Sequence, residues 1–326
     1  MSGAAARAEG PARIVIGSRR SRLARIQATQ VGRALEAVRP GLEVVYETMA
    51  TEGDRRLDAA LPEIGGKGVF TAELERALHE GRVDVAVHSL KDLPTEDPEG
   101  LVVAAILERE DPRDVLVVRS GTPSLQALDE GARVGTSSVR RAGHLRAARP
   151  DLRVVPIRGN VETRVAKVES GEVDAIVIAA AGLRRLGLEP DHASAFALED
   201  WLPAPGQGAL AVQAAVARPE ILELTAAVDH PPTRAEVTAE RALLAALGAG
   251  CHAPVGAWGR VREGSLDLMA VAYDPSGREK PWRGASAGPA REAETIGRAL
   301  AAEVLGPRTR GWFEPPSGPP EGPPPA

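Results

Sequence analysis

The chain holds one cysteine, Cys251, in 326 residues. A lone thiol cannot close an intrachain disulfide, and without a Cys-x-x-Cys pair there is no zinc or dithiol redox site of that type. Lysine is nearly as scarce: Lys67, Lys91, Lys167 and Lys280 are the only four among 40 basic residues. An arginine in any one stretch is therefore weak evidence, whereas a lysine in a loop is informative. No run of 18 apolar residues occurs, which excludes a membrane-spanning helix. The segment 1–13 is rich in Ala and Gly but has no apolar core of signal-peptide type, so it reads as a loose tail, and with a single cysteine this implies the cytoplasm. A formal net charge of −5 argues against a general nucleic-acid binder. Lys67, in Gly66-Lys67-Gly68, is not followed by Ser or Thr, so it belongs to no phosphate loop of the Walker type. Gly206-x-Gly208 and Gly248-x-Gly250 neither follow a strand nor open a helix, so neither is a dinucleotide fingerprint.

What is present is an alternating pattern, seen twice. Arg13–Gly17 reads as a short buried strand, 21–38 as an amphipathic helix stopping before Pro40-Gly41, and 43–49 as a second strand. Residues 51–68 are rich in charge and Gly and read as a long mobile loop of the kind that is usually functional or disordered. A helix over 69–80 and a strand over 83–87 follow. The same order returns as a strand at 133–135, a helix over 138–148, a strand over 152–157, a helix over 161–170 and a strand over 173–179. The residues repeat too: Gly81-Arg-Val-Asp-Val-Ala-Val87 matches Gly171-Glu-Val-Asp-Ala-Ile-Val177, and Ile16-Gly-Ser18 matches Val134-Gly-Thr136. Two α/β lobes with parallel-rich sheets are the economical reading. After a Pro/Gly-punctuated crossover at 201–208 and a strand at 209–214, a helix over 234–247, strands at 255–261 and 265–272 and a helix over 291–304 form a small α+β C-terminal domain. The tail 307–326 is Pro/Gly-rich and reads as disordered.

In open parallel sheets ligands bind beyond the carboxyl ends of the strands, and there the unusual residues collect. Arg19, Arg20, Arg140, Arg141, Arg158, Arg164 and Arg185 fall at strand ends or first helical turns, where guanidinium groups bind carboxylate or phosphate in bidentate fashion. Ser21, Thr136, Ser137 and Ser138 add donors at helix starts, a geometry suited to anions. For any single arginine a surface salt bridge is an equal alternative; for the set, an anion-binding rim is the better reading. Asp92, directly after Lys91 and an apolar strand, suits stabilising a developing cation or moving a proton, or forming a turn before Leu93-Pro94. Cys251 lies among Gly248, Gly250, Pro254 and Gly256, not in an apolar run. Inert residue, nucleophile and attachment point all remain open for it on these grounds.

His88-Ser-Leu-Lys-Asp-Leu-Pro, Gly135-Thr-Ser-Ser-Val-Arg-Arg, Arg158-Gly-Asn-Val-x-Thr-Arg164, Ala181-Gly-Leu-x-Arg-Leu-Gly187, Pro205-Gly-Gln-Gly and the Gly-Cys-x-x-Pro-Val-Gly turn closely resemble the porphobilinogen deaminase family, in the right order over about Arg13 to Leu305. The resemblance implies two lobes like type II periplasmic binding proteins and a third domain that carries the cofactor. It implies a dipyrromethane cofactor joined by thioether to Cys251, four porphobilinogens added in turn with loss of ammonia, and hydrolytic release of hydroxymethylbilane. Asp92 matches the family's catalytic aspartate. Arg19, Ser21, Lys91, Thr136, Ser138, Arg140, Arg141, Arg158, Arg164 and Arg185 match its cofactor- and substrate-binding residues, with Phe70 an aromatic near the substrate and Gln207 on the hinge side. No metal is implied. The expected division is 12–108 with 206–228 as lobe 1, 109–205 as lobe 2 and 229–306 as the cofactor-carrying domain. The tails are 1–11 and 307–326, the loop 51–66 is a lid, and the chain is a monomer with no membrane or nucleic-acid partner. Arg22 stands where the family usually has proline, which predicts a slightly different helix start. His252, beside the cysteine, reads as a solvated turn residue or an aid to thiolate formation. The rival reading is a non-catalytic bilobed binding protein for a small polycarboxylate, which leaves Cys251 and the third domain without a purpose. A nicotinamide-dependent oxidoreductase is a poorer rival for want of the fingerprint.

Overall fold

The structure is a computed structural model and describes residues 11–51, 71–248, 253–306 and 309–313. In the first lobe, β1 (Arg13–Arg19), β2 (Glu43–Met49) and β3 (Val85–Ser89) run parallel, linked by α1 (Arg22–Val38) and a segment that includes α2 (Ala72–His79). Helix α1 buries Ala24, Gln27, Ala28, Val31 and Leu35, one stripe at three- and four-residue spacing, and Ser21 caps it by accepting from Ala24 N. In the second lobe the same course is taken by β6 (Arg133–Gly135), α3 (Val139–Ala148), β7 (Arg153–Val155), α4 (Val161–Glu169) and β8 (Ala175–Ala179).

The repeated Gly-x-Val-Asp stretch has a structural reason in each lobe. Gly81 and Gly171 both sit at positive φ just past a helix, where glycine carries no Cβ penalty. The aspartate then bonds the neighbouring strand twice. Asp84 N donates to Val15 O and its Oδ2 accepts from Val15 N, while Asp174 N donates to Arg133 O and its Oδ2 accepts from Arg133 N.

Each sheet is completed by one reversed strand that comes from the other side of the molecule. β4 (Leu101–Ile106) ends the first run. The chain crosses to β5 (Asp114–Val118), and β9 (Ala193–Ala195) closes the second sheet. It then crosses back to β10 (Leu210–Ala215). The sheet orders are β2-β1-β3-β10-β4 and β7-β6-β8-β5-β9, with β10 and β5 antiparallel to both their neighbours. The sequence pattern misses β4 and β5, because continuous apolar runs carry no period, and β9, whose three residues Ala-Ser-Ala are too few to show one. It also misses α5 (Ala180–Leu186) and α6 (Pro219–Ala226).

In the third domain α7 (Pro231–Ala246) and α8 (Ala293–Val304) cover the antiparallel sheet of β11 (Val255–Arg262), β12 (Ser265–Ala272) and β13 (Trp282–Pro289). Leu243, Leu266, Leu268 and Leu300 are fully buried in its core. Trp312 is buried there as well. The expected disordered tail is therefore corrected for 309–313, since one large apolar ring buries enough surface to hold a turn of chain in place. A buried aromatic column joins this domain to the second lobe. Phe196 stacks on Trp201 (4.0 Å), Trp201 on His144 (4.2 Å), and Tyr273 hydrogen-bonds His144 Nδ1 at 2.5 Å. His144 Nε2 donates to Leu202 O, so Nδ1 is the acceptor. Burial holds its pKa well below the usual histidine value.

Candidate active site

The site stands at the carboxyl ends of the parallel strands. Arg19 ends β1, and a 3₁₀ turn over Leu90–Asp92 follows β3. In that turn Leu90 is buried, Lys91 is partly buried and Asp92 is exposed to the cleft. A cavity beside it is lined by Arg19, Ser21, Gln27, Thr71, His88 and Asp92. His88 is not among the sequence candidates. Its Nε2 pairs with Gln213 Oε1 at 3.1 Å, and burial pushes its pKa down to about 4.

From the second lobe, Thr136 and Ser138 follow β6, where Thr136 Oγ1 accepts from Ser138 N at 3.1 Å and Ser138 caps α3. A second cavity is lined by Lys91, Ser138, Arg140, Ala204, Leu244 and Ala253, among others. It lies between both lobes and the third domain, and Ala253 is two positions from Cys251 in the chain.

The electrostatics bring the two rims together. Burial, together with the neighbouring positive charges of Arg141 and Arg158, lowers Arg164 to about 10 against the opposing charge of Asp92. Burial pushes Lys91 down to about 8, with Asp92 opposing and Arg141 adding to the fall. Asp92, Lys91, Arg141, Arg158 and Arg164 thus share one electrostatic neighbourhood although they come from different lobes. Arg185 lies apart on the hinge: its Nη2 donates to Gly208 O at 2.7 Å, and burial lowers it to about 10. Gln207 accepts from Lys91 Nζ at 3.2 Å and donates to Pro112 O and Asp114 Oδ1. Arg140 and Arg141, expected on the anion-binding rim, are buried and paired with Asp114. Phe70, Cys251, His252 and residues 52–66 of the expected lid lie outside the described residues.

The residues fit a bound polycarboxylate. The Nε atoms of Arg140, Arg141 and Arg185 are buried with no hydrogen-bond partner among the described residues. Buried donors left unpaired are costly, and Arg140 among them lines the second cavity. No cluster of three His, Cys, Asp or Glu placed to hold a metal occurs among the described residues, and no described helix is long and apolar enough to cross a membrane.

Two residues that sequence reasoning passed over organise the hinge. Glu240 on α7 is fully buried and accepts from Arg109 Nη1 (2.6 Å) and Nη2 (3.1 Å), Gly206 N (2.6 Å) and Gly259 N (2.8 Å). It thereby ties both crossovers to the third domain. Asp114 does the corresponding work in the second lobe. The available signal was a carboxylate placed where an apolar stretch begins or within one, which buries a charge and so requires a partner. Gly208 marks the tightest point of the hinge: it has φ +92°, and a Cβ there would stand 2.3 Å from Glu110 O. Gly208→Ala is therefore expected to lower stability by more than about 2 kcal/mol. Gly206→Ala, which would meet mainly the flexible Leu90 side chain at 3.1 Å, should cost less. Thermal melts of the two variants check the order.

Comparison with known proteins decides the family. The sequence model described as "Porphobilinogen deaminase, dipyromethane cofactor binding domain" matches residues 14–223, and that of the "Porphobilinogen deaminase, C-terminal domain" matches 234–306. The chain belongs to the porphobilinogen deaminase family. It is 49% identical over 292 residues to porphobilinogen deaminase of Desulforudis audaxviator, covering 90% of this chain and 94% of that one. It is 47% identical over 293 residues to that of Chromobacterium violaceum, with the same coverage. Among solved structures, the alkanesulfonate-binding protein SsuA from Xanthomonas axonopodis pv. citri bound to MOPS superposes with a TM-score of 0.39 at 15% identity, covering 93% of this chain and 95% of that one.

Proposed function

We propose that the cleft condenses four porphobilinogen molecules head to tail, with loss of one ammonia each, and releases the linear tetrapyrrole hydroxymethylbilane by hydrolysis. The observation that carries this reading is the meeting, around Asp92, of cationic side chains from two lobes with buried guanidinium nitrogens that lack partners. Each pyrrole of substrate and product bears an acetate and a propionate, so the reacting species are polyanions and need such a lining.

The dipyrromethane primer, when bound, supplies the free pyrrole carbon to which the first substrate is joined, and Cys251 is assigned as its thioether attachment. Lys91, Ser138, Arg140, Arg141 and Arg185 are assigned to its side of the cleft. Arg19, Ser21, Thr136, Arg158, Arg164 and Phe70 are assigned to the substrate side, with Gln207 holding Lys91 between them. When the C–N bond of the substrate's protonated aminomethyl group breaks, the nitrogen leaves with the bonding pair as ammonia and the positive charge passes to the pyrrole. Asp92, projecting into the cleft from a turn fixed on β3, stabilises that charge at the pyrrole N–H. It also accepts the proton displaced when the new C–C bond forms. A carboxylate placed in this way contributes about 10²–10⁴ in rate.

The chain is assigned to lobes 12–108 with 206–228 and 109–205 and to a cofactor-carrying domain 229–306. It works as a cytoplasmic monomer.

Incubation of the purified chain with porphobilinogen tests the reading. One ammonia released per substrate consumed, with protein masses rising in steps of porphobilinogen less ammonia, is the expected result. Binding without ammonia release would make it a polycarboxylate-binding protein instead.

The lowered Lys91 pKa gives a stability prediction for the Cys251→Ala chain, which cannot carry the primer. The unfolded chain holds a proton on Lys91 that the folded chain releases between about pH 8 and 10.5. Lys91 therefore detracts from stability below pH 8, and the penalty fades as pH rises through that window. Adding Lys91→Met should raise the melting midpoint at pH 7 and leave it unchanged near pH 10.5. A gap that widens with pH would contradict the burial of this ammonium.

A further inference from the structure

Asp114 opens β5, the reversed strand of the second sheet, and its carboxylate is wholly buried. Oδ2 accepts from Arg140 Nη2 at 2.9 Å and Trp201 Nε1 at 2.9 Å; Oδ1 accepts from Arg141 Nη2 at 2.6 Å and Gln207 Nε2 at 2.8 Å. The other terminal nitrogens are fixed too, Arg140 Nη1 on Leu202 O at 2.8 Å and Arg141 Nη1 on Val177 O at 3.0 Å. Both guanidinium planes are thus locked by two contacts apiece, and the Nε of each is the atom left without a partner. Burial alone would raise the Asp114 pKa; the two guanidiniums more than offset this and hold it well below the usual carboxylate range.

One carboxylate against two guanidiniums leaves a buried surplus of positive charge, and the charge of Lys91, joined to Asp114 through Gln207, is offset by Asp92. Buried charge without a counter-charge is strongly disfavoured. A purely structural cluster would be neutral; this one is one anion short. Arg140 and Lys91 both line the cavity that Ala253 also borders.

We infer that Asp114 is a positioning residue for the primer: it sets Arg140 and Arg141 so that their unpaired Nε edges and surplus charge receive a primer carboxylate. Trp201 and Gln207 hold the Asp114 carboxylate itself in place. The indole ring of Trp201 is gripped between Phe196 and His144, so the setting of the arginines is coupled to the column that reaches Tyr273 in the third domain. Asp114 acts on the primer side of the cleft and not at the carbon that reacts.

This inference rests on the family reading, and the experiment separates the two. Full-length wild type and Asp114→Asn are purified in parallel, and the fraction carrying the mass of two linked pyrroles is measured on denatured protein. Steady-state constants of the loaded fraction are measured well below each melting midpoint. Asp114→Asn is expected to load about tenfold less, the effect of losing one charge-assisted hydrogen bond, while its loaded fraction keeps a KM for porphobilinogen within twofold of wild type. A folded Asp114→Asn that melts lower but loads as wild type would overturn the positioning role and leave the family reading intact. A wild type that never carries the mass would overturn both. If Asp114→Asn is insoluble, Trp201→Phe decides, since it removes one donor to Asp114 and keeps a stacked ring. Loading lowered about two- to threefold supports the role, and unchanged loading overturns it.

Discussion

Asp92→Asn is expected to lower kcat by about 10²–10³-fold while leaving the primer mass on the protein and the KM for porphobilinogen within a few-fold of wild type. The substitution keeps the shape and the hydrogen-bonding capacity toward a pyrrole N–H but removes the negative charge. It should therefore act when positive charge develops and hardly at all when the substrate merely binds. Several observations set this expectation. Asp92 is exposed to the cleft and sits on a turn anchored by buried Leu90, and its charge is felt by Lys91 of its own turn and by Arg164 of the other lobe. A carboxylate that served only to form the turn before Leu93-Pro94 would be replaced by Asn at almost no cost, because Asn favours the same turns. Steady-state rates near wild type would establish that bland reading.

Glu240→Ala is expected to have the largest effect on stability. Its carboxylate takes four hydrogen bonds: two from Arg109 on the first crossover, one from Gly206 on the second and one from Gly259 on β11. Removing it leaves a guanidinium with a side chain only 6% exposed and two buried N–H groups without partners. Breaking a buried ion pair from one side costs about 3–5 kcal/mol, a large part of the ~5–15 kcal/mol that holds a typical domain together. Glu236, whose carboxylate is 3.9 Å from Arg109 Nη1, can take up part of the charge, which favours the lower end of that range. Burial already raises the Glu236 pKa, so it is a poor replacement. Urea unfolding of the two chains gives the difference, and a loss under about 1 kcal/mol would show that the hinge relaxes around the vacancy.

The legibility of this chain in its sequence follows from where its signals are local. The amphipathic stripe of α1 and the Gly-x-Val-Asp repeat that bonds each helix exit to its neighbouring strand are short-range patterns, and they placed both lobes. Asp92, Arg19, Ser21, Thr136 and Ser138 were singled out as candidates because strand ends in parallel sheets are where ligands meet the chain. The reversed strands β5 and β10 follow long excursions through the other lobe, and nothing local in Val115–Val118 says which sheet it joins. Asp114 and Glu240 were passed over for a related reason. Their partners, Arg140, Arg141 and Arg109, are 26, 27 and 131 positions away, so the pairing exists only in the fold. Arg140 and Arg141 were read as anion contacts; burial against Asp114 adds a framework role from which the Nε of each is left without a partner among the described residues.

The central claim is covalent priming through Cys251. The intact mass of the denatured full-length chain, measured beside Cys251→Ala, tests it most directly. An added mass equal to two linked pyrrole units on the wild type, absent from the variant, is the predicted result. A wild type that stays unmodified after incubation with porphobilinogen would contradict it and leave the cleft an anion site without a primer.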